Sequence, residues 1–302
     1  MRTLPFALAL LLAAPALAGA AAPPAARPDG PRIEALTGAR GAWDEKAGVF
    51  KVSVPRTDLS VTAAGVKLTP AMGLTSWAAF QRVGREDVVM GDMVVLEDQA
   101  NPVMSAALDA GLEVTALHNH FLWETPRVMF MHVGGMGAES TLATAVGRVF
   151  AKISETSGGR GVTPAADLDP AHTTLDPARI EAILHEKGAL AGGVYKVTVG
   201  RSTRMHGADM GSAMGVNTWA AFVGSDAQAA VDGDFAMLEP ELQPVLKALR
   251  GAGINVVAIH QHMTGESPRI VFLHYWGVGP AEDLARGLRA ALDRTAAGRG
   301  GR

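Results

Sequence analysis

The stretch LEVTALHNHFLWETPRVMFMHVGG at residues 112–135 returns as INVVAIHQHMTGESPRIVFLHYWG at residues 254–277. The partners lie 142 positions apart: His118 and His260, His120 and His262, Glu124 and Glu266, Pro126 and Pro268, Arg127 and Arg269, His132 and His274. Six of the nine histidines fall in these two stretches, so the chain concentrates its imidazoles in one repeated motif. Each stretch starts with a β-rich run that ends on the His-x-His pair. Residues 127–133 (RVMFMHV) read as the returning strand of a hairpin.

Working outward, Asn101-Pro102 opens a helix to about Ala110, with proline at a tolerated first-turn position and Gly111 as the stop. Residues 49–54 alternate and read as a strand with a partner at 59–68, followed by strands at 74–83 and 92–97. A short helix is expected over 33–37. Gly134-Gly135 is expected to break the returning strand, and 139–153 reads as a closing helix with Leu142, Val146 and Val149 on one face. The same plan restarts after residue 177. Residues 72–137 align with 214–279 without a gap, and 27 of the 66 positions are identical, where chance gives roughly a tenth or less.

Duplication is therefore the strongest inference. The expected fold is α+β. Two tandem homologous repeats, each a ferredoxin-like (split βαβ) α/β sandwich, pack as a pseudo-two-fold pair. The expected divisions are a signal peptide at 1–20, a linker at 21–32, repeat 1 at 33–153, a Gly/Pro/Thr/Asp-rich linker at 154–177, and repeat 2 at 178–296.

Composition bounds the function. Hydrophobic residues make up 48% and charged residues 19%, enough for a sizeable core. The net charge of −3 comes without a Lys/Arg cluster, which argues against a nucleic-acid surface. Residues 1–20 carry one charge, Arg2, then an apolar run and small-residue cleavage sites at Ala16-Leu17-Ala18 or Ala18-Gly19-Ala20, as in a secretory signal. The chain has no cysteine. That removes disulfides, thiolate ligands and catalytic thiols, and suits the periplasm, with no stable membrane anchor in the mature chain. Any metal site must draw on His, Glu, Asp or Met.

On a strand, residues i and i+2 share a face. His118 and His120, and likewise His260 and His262, are thus candidate metal ligands, with His132 and His274 on the returning strands completing each set. Glu124 and Glu266 follow in the turn as a further ligand or as the proton carrier of a catalytic site. Such sets suit zinc, iron, manganese or copper. Hairpin register decides whether the set closes. A turn centred near Trp123 leaves His132 about 13 Å from His118, whereas one centred near Thr125 sets them face to face. Arg127 and Arg269 are candidate clamps for a ligand carboxylate or phosphate, or simple partners of their own glutamates. Trp77 and Trp219 read as core. Asp92, Glu97, Asp234 and Glu239 read as solvated strand ends. Met205, His206, Met210 and Met214 form a Met/His group in the second half alone, a copper-type donor set or core filler.

The pattern HNHF-x-x-E-T-P-R-V-M-F-M-H-V-G-G, with its second copy HQHM-x-x-E-S-P-R-I-V-F-L-H and the Gly-Asp strand before each, resembles the LppY/LpqO family (DUF1259), which includes bacterial lipoproteins. The similarity spans about residues 33–295. It implies an exported, envelope-associated protein and carries no reaction. This chain lacks the lipobox cysteine of the lipoprotein members. The His-x-His-x₃-Glu spacing is also similar to the cupin metal motif, but helices interrupt the strands a cupin barrel needs. The string HNH lacks the context of the nuclease of that name.

Two main readings stay open from sequence. One is a periplasmic protein with a metal or polar-ligand site per repeat and, if catalytic, a metal-assisted hydrolase or lyase. The other is a non-catalytic envelope module that binds a carboxylate- or sugar-bearing small molecule. Copper handling through the Met/His group is a third. Oligomeric state has no signature in the chain.

Overall fold

The computed structural model describes residues 27–299. The expected signal segment at 1–20, and residues 21–26 of the leader linker, lie outside the described residues. In the first half the elements are α1 (Gly30–Thr37), β1 (Arg40–Asp44), β2 (Val49–Pro55), β3 (Thr62–Ala63), β4 (Val66–Lys67), β5 (Thr75–Val83), β6 (Glu86–Leu96), α2 (Glu97–Asp109), β7 (Glu113–His118), β8 (Glu124–Thr125), β9 (Val128–Gly137) and α3 (Glu139–Glu155). The second half repeats all of these but β8, as α4 (Pro177–Leu184), β10 (Gly188–Ala191), β11 (Val194–Gly200), β12 (Thr203–Met205), β13 (Ala208–Met210), β14 (Asn217–Gly224), β15 (Ala229–Leu238), α5 (Leu242–Gly251), β16 (Asn255–His260), β17 (Ile270–Gly279) and α6 (Ala281–Leu292).

Local chemistry explains the boundaries. Asp29 and Asp176 cap the first helix of each half by accepting from backbone N–H groups, with proline in the first turn. Gly38 ends α1 in the left-handed conformation at φ 69°. Helix α3 buries Leu142, Val146, Val149 and Ile153 along one stripe. Several expectations shift. Helix α2 starts at Glu97, so Pro102 lies inside it. Strand β9 runs through Gly134-Gly135 to Gly137, because its neighbour β6 offers ladder partners as far as Asp87. Residues 59–68 form only the short β3 and β4, which pair with each other, and β3 pairs on its other side with β8 rather than with β2.

The long strands form one twelve-stranded sheet in the order β1-β2-β5-β6-β9-β7-β16-β17-β15-β14-β11-β10. The second half reads in reverse of the first, and the halves meet where Leu117 on β7 pairs with Ile259 on β16. The two repeats thus share a sheet instead of owning one each. Met93, Val95, Met131 and Val133 join the core beneath the helices. Their alternates point the other way. There Val94, Val128 and Phe130 pack under Val61, Leu68 and Leu74, and Ala236, Ile270 and Phe272 pack under Val216.

Both seam strands carry a β-bulge, at Val114/Ala116 in β7 and at Val256/Ala258 in β16. A bulge leaves backbone groups outside the ladder. Here the opposite half supplies the missing partners. Gln243 donates to the Val114 carbonyl at 2.8 Å and accepts from its N–H at 3.0 Å. Asn101 does the same for Val256, at 3.0 and 2.8 Å. The bulge also shifts the alternation, so Val114 and Leu117 both face the core while His118 reaches the opposite face.

Candidate metal centre

The second half holds the tighter site. Asp234 sits in the middle of β15, with His274 of β17 as its cross-strand partner on one side and Trp219 of β14 on the other. His274 also faces Ala258, so His260 is its diagonal neighbour on the same face, and the two rings lie 4.8 Å apart and 9° from parallel. One ligand atom each from Asp234, His260 and His274 fall within 4.8 Å of one another. His262, two residues past the strand end, stacks on Phe272 at 3.5 Å and sets its Nε2 3.3 Å from an Asp234 oxygen.

The hydrogen bonding favours ligation. His274 Nδ1 lies 3.2 Å from the Gly233 carbonyl. A carbonyl only accepts, so Nδ1 carries the proton and Nε2 keeps its lone pair. Ligating histidines are oriented by such a backbone contact. Asp234 is 2% exposed. Its Oδ1, like His260 Nδ1, has no hydrogen-bond partner among the described residues. A buried polar atom without a partner costs stability unless another group answers it.

Electrostatics point the same way. Burial raises the Asp234 carboxyl to about 7, against the opposing pull of His274. Burial lowers His260 to about 4, helped by His274 and His262. His262 is also lowered, again chiefly by burial. The raised Asp234 carboxyl and the lowered His260 and His262 share one first cause, the loss of water around the set.

The first half repeats the arrangement more loosely. His132 pairs across strands with Asp92 and with Ala116, and its ring is 5.0 Å from that of His118. His120 stacks on Phe130 at 3.4 Å, with Nε2 3.8 Å from Asp92. Burial lowers His120, and Asp92 opposes the shift. Asp92 Oδ1 is also buried without a partner among the described residues. The register falls between the two alternatives posed by the sequence. His118 faces Phe130, and His132 is its diagonal neighbour.

A family model for the Domain of Unknown Function (DUF1259) matches residues 31–152 and 178–294. The chain belongs to the DUF1259 family. No curated protein matches it. Among solved structures, a trimeric bacterial microcompartment shell protein, PduB, is similar at 12% identity over 83% of this chain and 90% of that one, with a TM-score of 0.19. A likeness at that score carries no argument about the fold or the site.

In this DUF1259 protein the remaining sequence candidates are distributed as follows. Glu124 lies on β8 with its side chain 3% exposed, 3.9 Å from Arg127. Glu266 is buried and accepts from the Ile270 N–H at 3.1 Å. The carboxylate among the converging ligand atoms is Asp234, and Glu266 is not part of that set. Arg127 is exposed and also lies 3.8 Å from Glu97. Arg269 is exposed and makes no ion pair among the described residues. Met210 packs beside Val216 and Ile270, and Met214 is exposed. His206 occupies the β12–β13 turn at φ 52°.

Two sequence readings are corrected. Asp92 and Asp234 are buried in mid-strand beside the histidines rather than solvated at strand ends. Trp77 and Trp219 are only half-buried on the site face, each under a lysine ammonium, Lys51 at 4.0 Å and Lys196 at 4.2 Å. The signal for the aspartates was available. Each follows a glycine inside an apolar strand, and each is identical across the repeat.

Proposed function

We propose that this DUF1259 protein is an exported metal-binding protein whose principal centre is Asp234, His260 and His274, with His262 beside it. The observation that carries the reading is the convergence of one carboxylate and two imidazole atoms within 4.8 Å around a buried, unpartnered Asp234 oxygen. Two nitrogens and one oxygen suit zinc or iron(II) better than a copper site built on thioethers. Three protein ligands leave room for a further donor, which is the geometry of reactive rather than purely structural sites. In its catalytic form the proposal is a metal-dependent hydrolase or lyase, with Glu266, and Glu124 in the first half, as proton carriers. Asp92, His118, His120 and His132 form a second, weaker centre.

Export rests on the signal-like residues 1–20. Among the described residues no helix is long and apolar enough to cross a membrane. We also propose that each half is a ferredoxin-like unit extended by a meander, and that the halves are related by a pseudo-two-fold axis. Support comes from the reversed strand order and from α2, which links β6 and β7 around the intervening β9.

The test is elemental analysis of untagged protein purified from the periplasm, followed by zinc titration. Close to one tightly held transition metal per chain is expected, and loss of that metal in His260→Ala/His274→Ala. Metal-free protein that takes up no zinc, or unchanged affinity in the double variant, ends the proposal.

A further inference from the structure

Two clefts flank the seam where β7 meets β16, and equivalent residues build them. The larger, about 680 Å³, is lined by Glu113 and Thr115 on β7, by Glu239 and Gln243, and by His260 and Arg269. The smaller, about 300 Å³, is lined by Asn255 and Val257 on β16 and by Glu97 and Asn101 on α2. These four are the repeat equivalents of Glu113, Thr115, Glu239 and Gln243.

The difference lies in what else enters. Val162, Thr163 and Pro164 of the connection between the halves lie along the smaller cleft, together with Trp276. Position 276 corresponds to Gly134 in the first half, so no indole narrows the larger one. Gly161 anchors the connection by packing on Asp98 so closely that a Cβ has no space. Neither His118 nor Arg127 lines the smaller cleft, whereas their equivalents His260 and Arg269 both line the larger.

The arginines differ in the same sense. Arg127 is flanked by Glu97 at 3.8 Å and Glu124 at 3.9 Å. Arg269 has no such partner among the described residues, and Glu266 is turned onto the Ile270 N–H. A guanidinium free of internal partners at the mouth of a polar cleft is suited to a carboxylate. Glu113 and Glu239, both exposed in the cleft, accept from hydroxyls and repel a second anionic group. The volume lies within the range for small-molecule sites, roughly 300–1,000 Å³.

We infer that the second half alone carries a ligand cleft, and that its ligand is a small hydroxylated monocarboxylate held by Arg269 beside the metal on His260. The chain's own residues 161–164 take the equivalent space in the first half. This inference rests on the metal reading above.

The test uses the full chain loaded with cobalt(II), whose visible band reports the donors around the ion. Gluconate is titrated in, with glucose as the uncharged control. Gluconate is expected to shift the band with one response per chain, and glucose to leave it unchanged. Arg269→Gln should weaken gluconate about tenfold or more while cobalt uptake stays the same, and Arg127→Gln should stay within about twofold. A cobalt band that ignores gluconate overturns the inference and leaves the metal centre standing, as does an equal loss in both arginine variants. A chain that shows no cobalt band before gluconate is added removes both.

Discussion

The two halves carry the same four polar residues, one aspartate and three histidines, at matching positions, yet they are not equally assembled. In the second, Asp234 and His262 approach to 3.3 Å and the paired rings to 4.8 Å. In the first, the matching values are 3.8 and 5.0 Å. The cleft beside the second set is open, while the connection runs along its counterpart. The loops differ too. The position after the motif that takes a left-handed backbone is Gly265 in the second half and an exposed Trp123 in the first. A duplicated site can keep its donors while only one copy keeps a cleft lined by one of its histidines. The donor list alone therefore overstates how many working sites a chain has.

The comparison breaks most readily at the ligands. Removing an outer-shell partner of a metal typically costs 10–100-fold in affinity, so loss of a direct ligand should cost about 100-fold or more. Asp234→Ala is expected to reach that loss for zinc, and Asp92→Ala to leave the tight site nearly unchanged, as measured by competition with a chromophoric chelator. Equal losses would make the halves equivalent after all.

A second effect, at Asp234, is one of pH. In metal-free protein the folded Asp234 carboxyl is raised to about 7, against about 3.9 when unfolded. The folded state therefore holds that proton more tightly. The stability it gives is complete below about pH 4 and is lost as pH rises through about 7. His260, lowered to about 4, acts in the opposite sense, losing stability as pH falls from about 6.5. Asp234→Asn removes the first component only. Its advantage over the parent in urea unfolding with chelator present should grow between pH 5 and pH 8, by up to a few kcal/mol. A difference that stays flat over that range contradicts the assignment.

The seam should behave alike from either side. Gln243→Ala strands both backbone groups of buried Val114, and Asn101→Ala those of Val256. Each is expected to cost about 2–6 kcal/mol, since two groups are stranded and a buried unsatisfied group costs roughly 1–3. Chemical denaturation checks the values, and a large inequality would mean that only one clamp matters. The smallest effect is at Trp123. Replacing it with glycine should stabilise the first half by about 0.5–1 kcal/mol by relieving the left-handed backbone, visible as a slightly raised Tm.

Much of this was legible in the chain. The gapless 142-residue offset revealed the repeat, and period-two patterning revealed β2. The His-x-His pair announced where polar groups gather. The aspartates were less legible, because an acid in an apolar strand usually marks its solvated end, and the cross-strand register is what brings Asp234 against His274. The bulges were invisible for a related reason. Nothing in Val-Thr-Ala or Val-Val-Ala reveals that one residue drops out of the ladder, yet that slip turns His118 and His260 toward the site. The run of β9 through Gly134-Gly135 was hidden because ladder partners outweigh glycine's weak strand preference.

The crossed amide clamps at Val114 and Val256 have one more implication. A fragment ending after α3 would keep its helices and all of its strands, but β7 would become a naked border with a peptide group that its own chain cannot answer. Unpaired borders of this kind recruit another copy. Because Asn101 and Gln243 occupy matching places, two such fragments could serve one another as the halves do now, and the present seam within one chain would then be the covalently tethered descendant of a dimer.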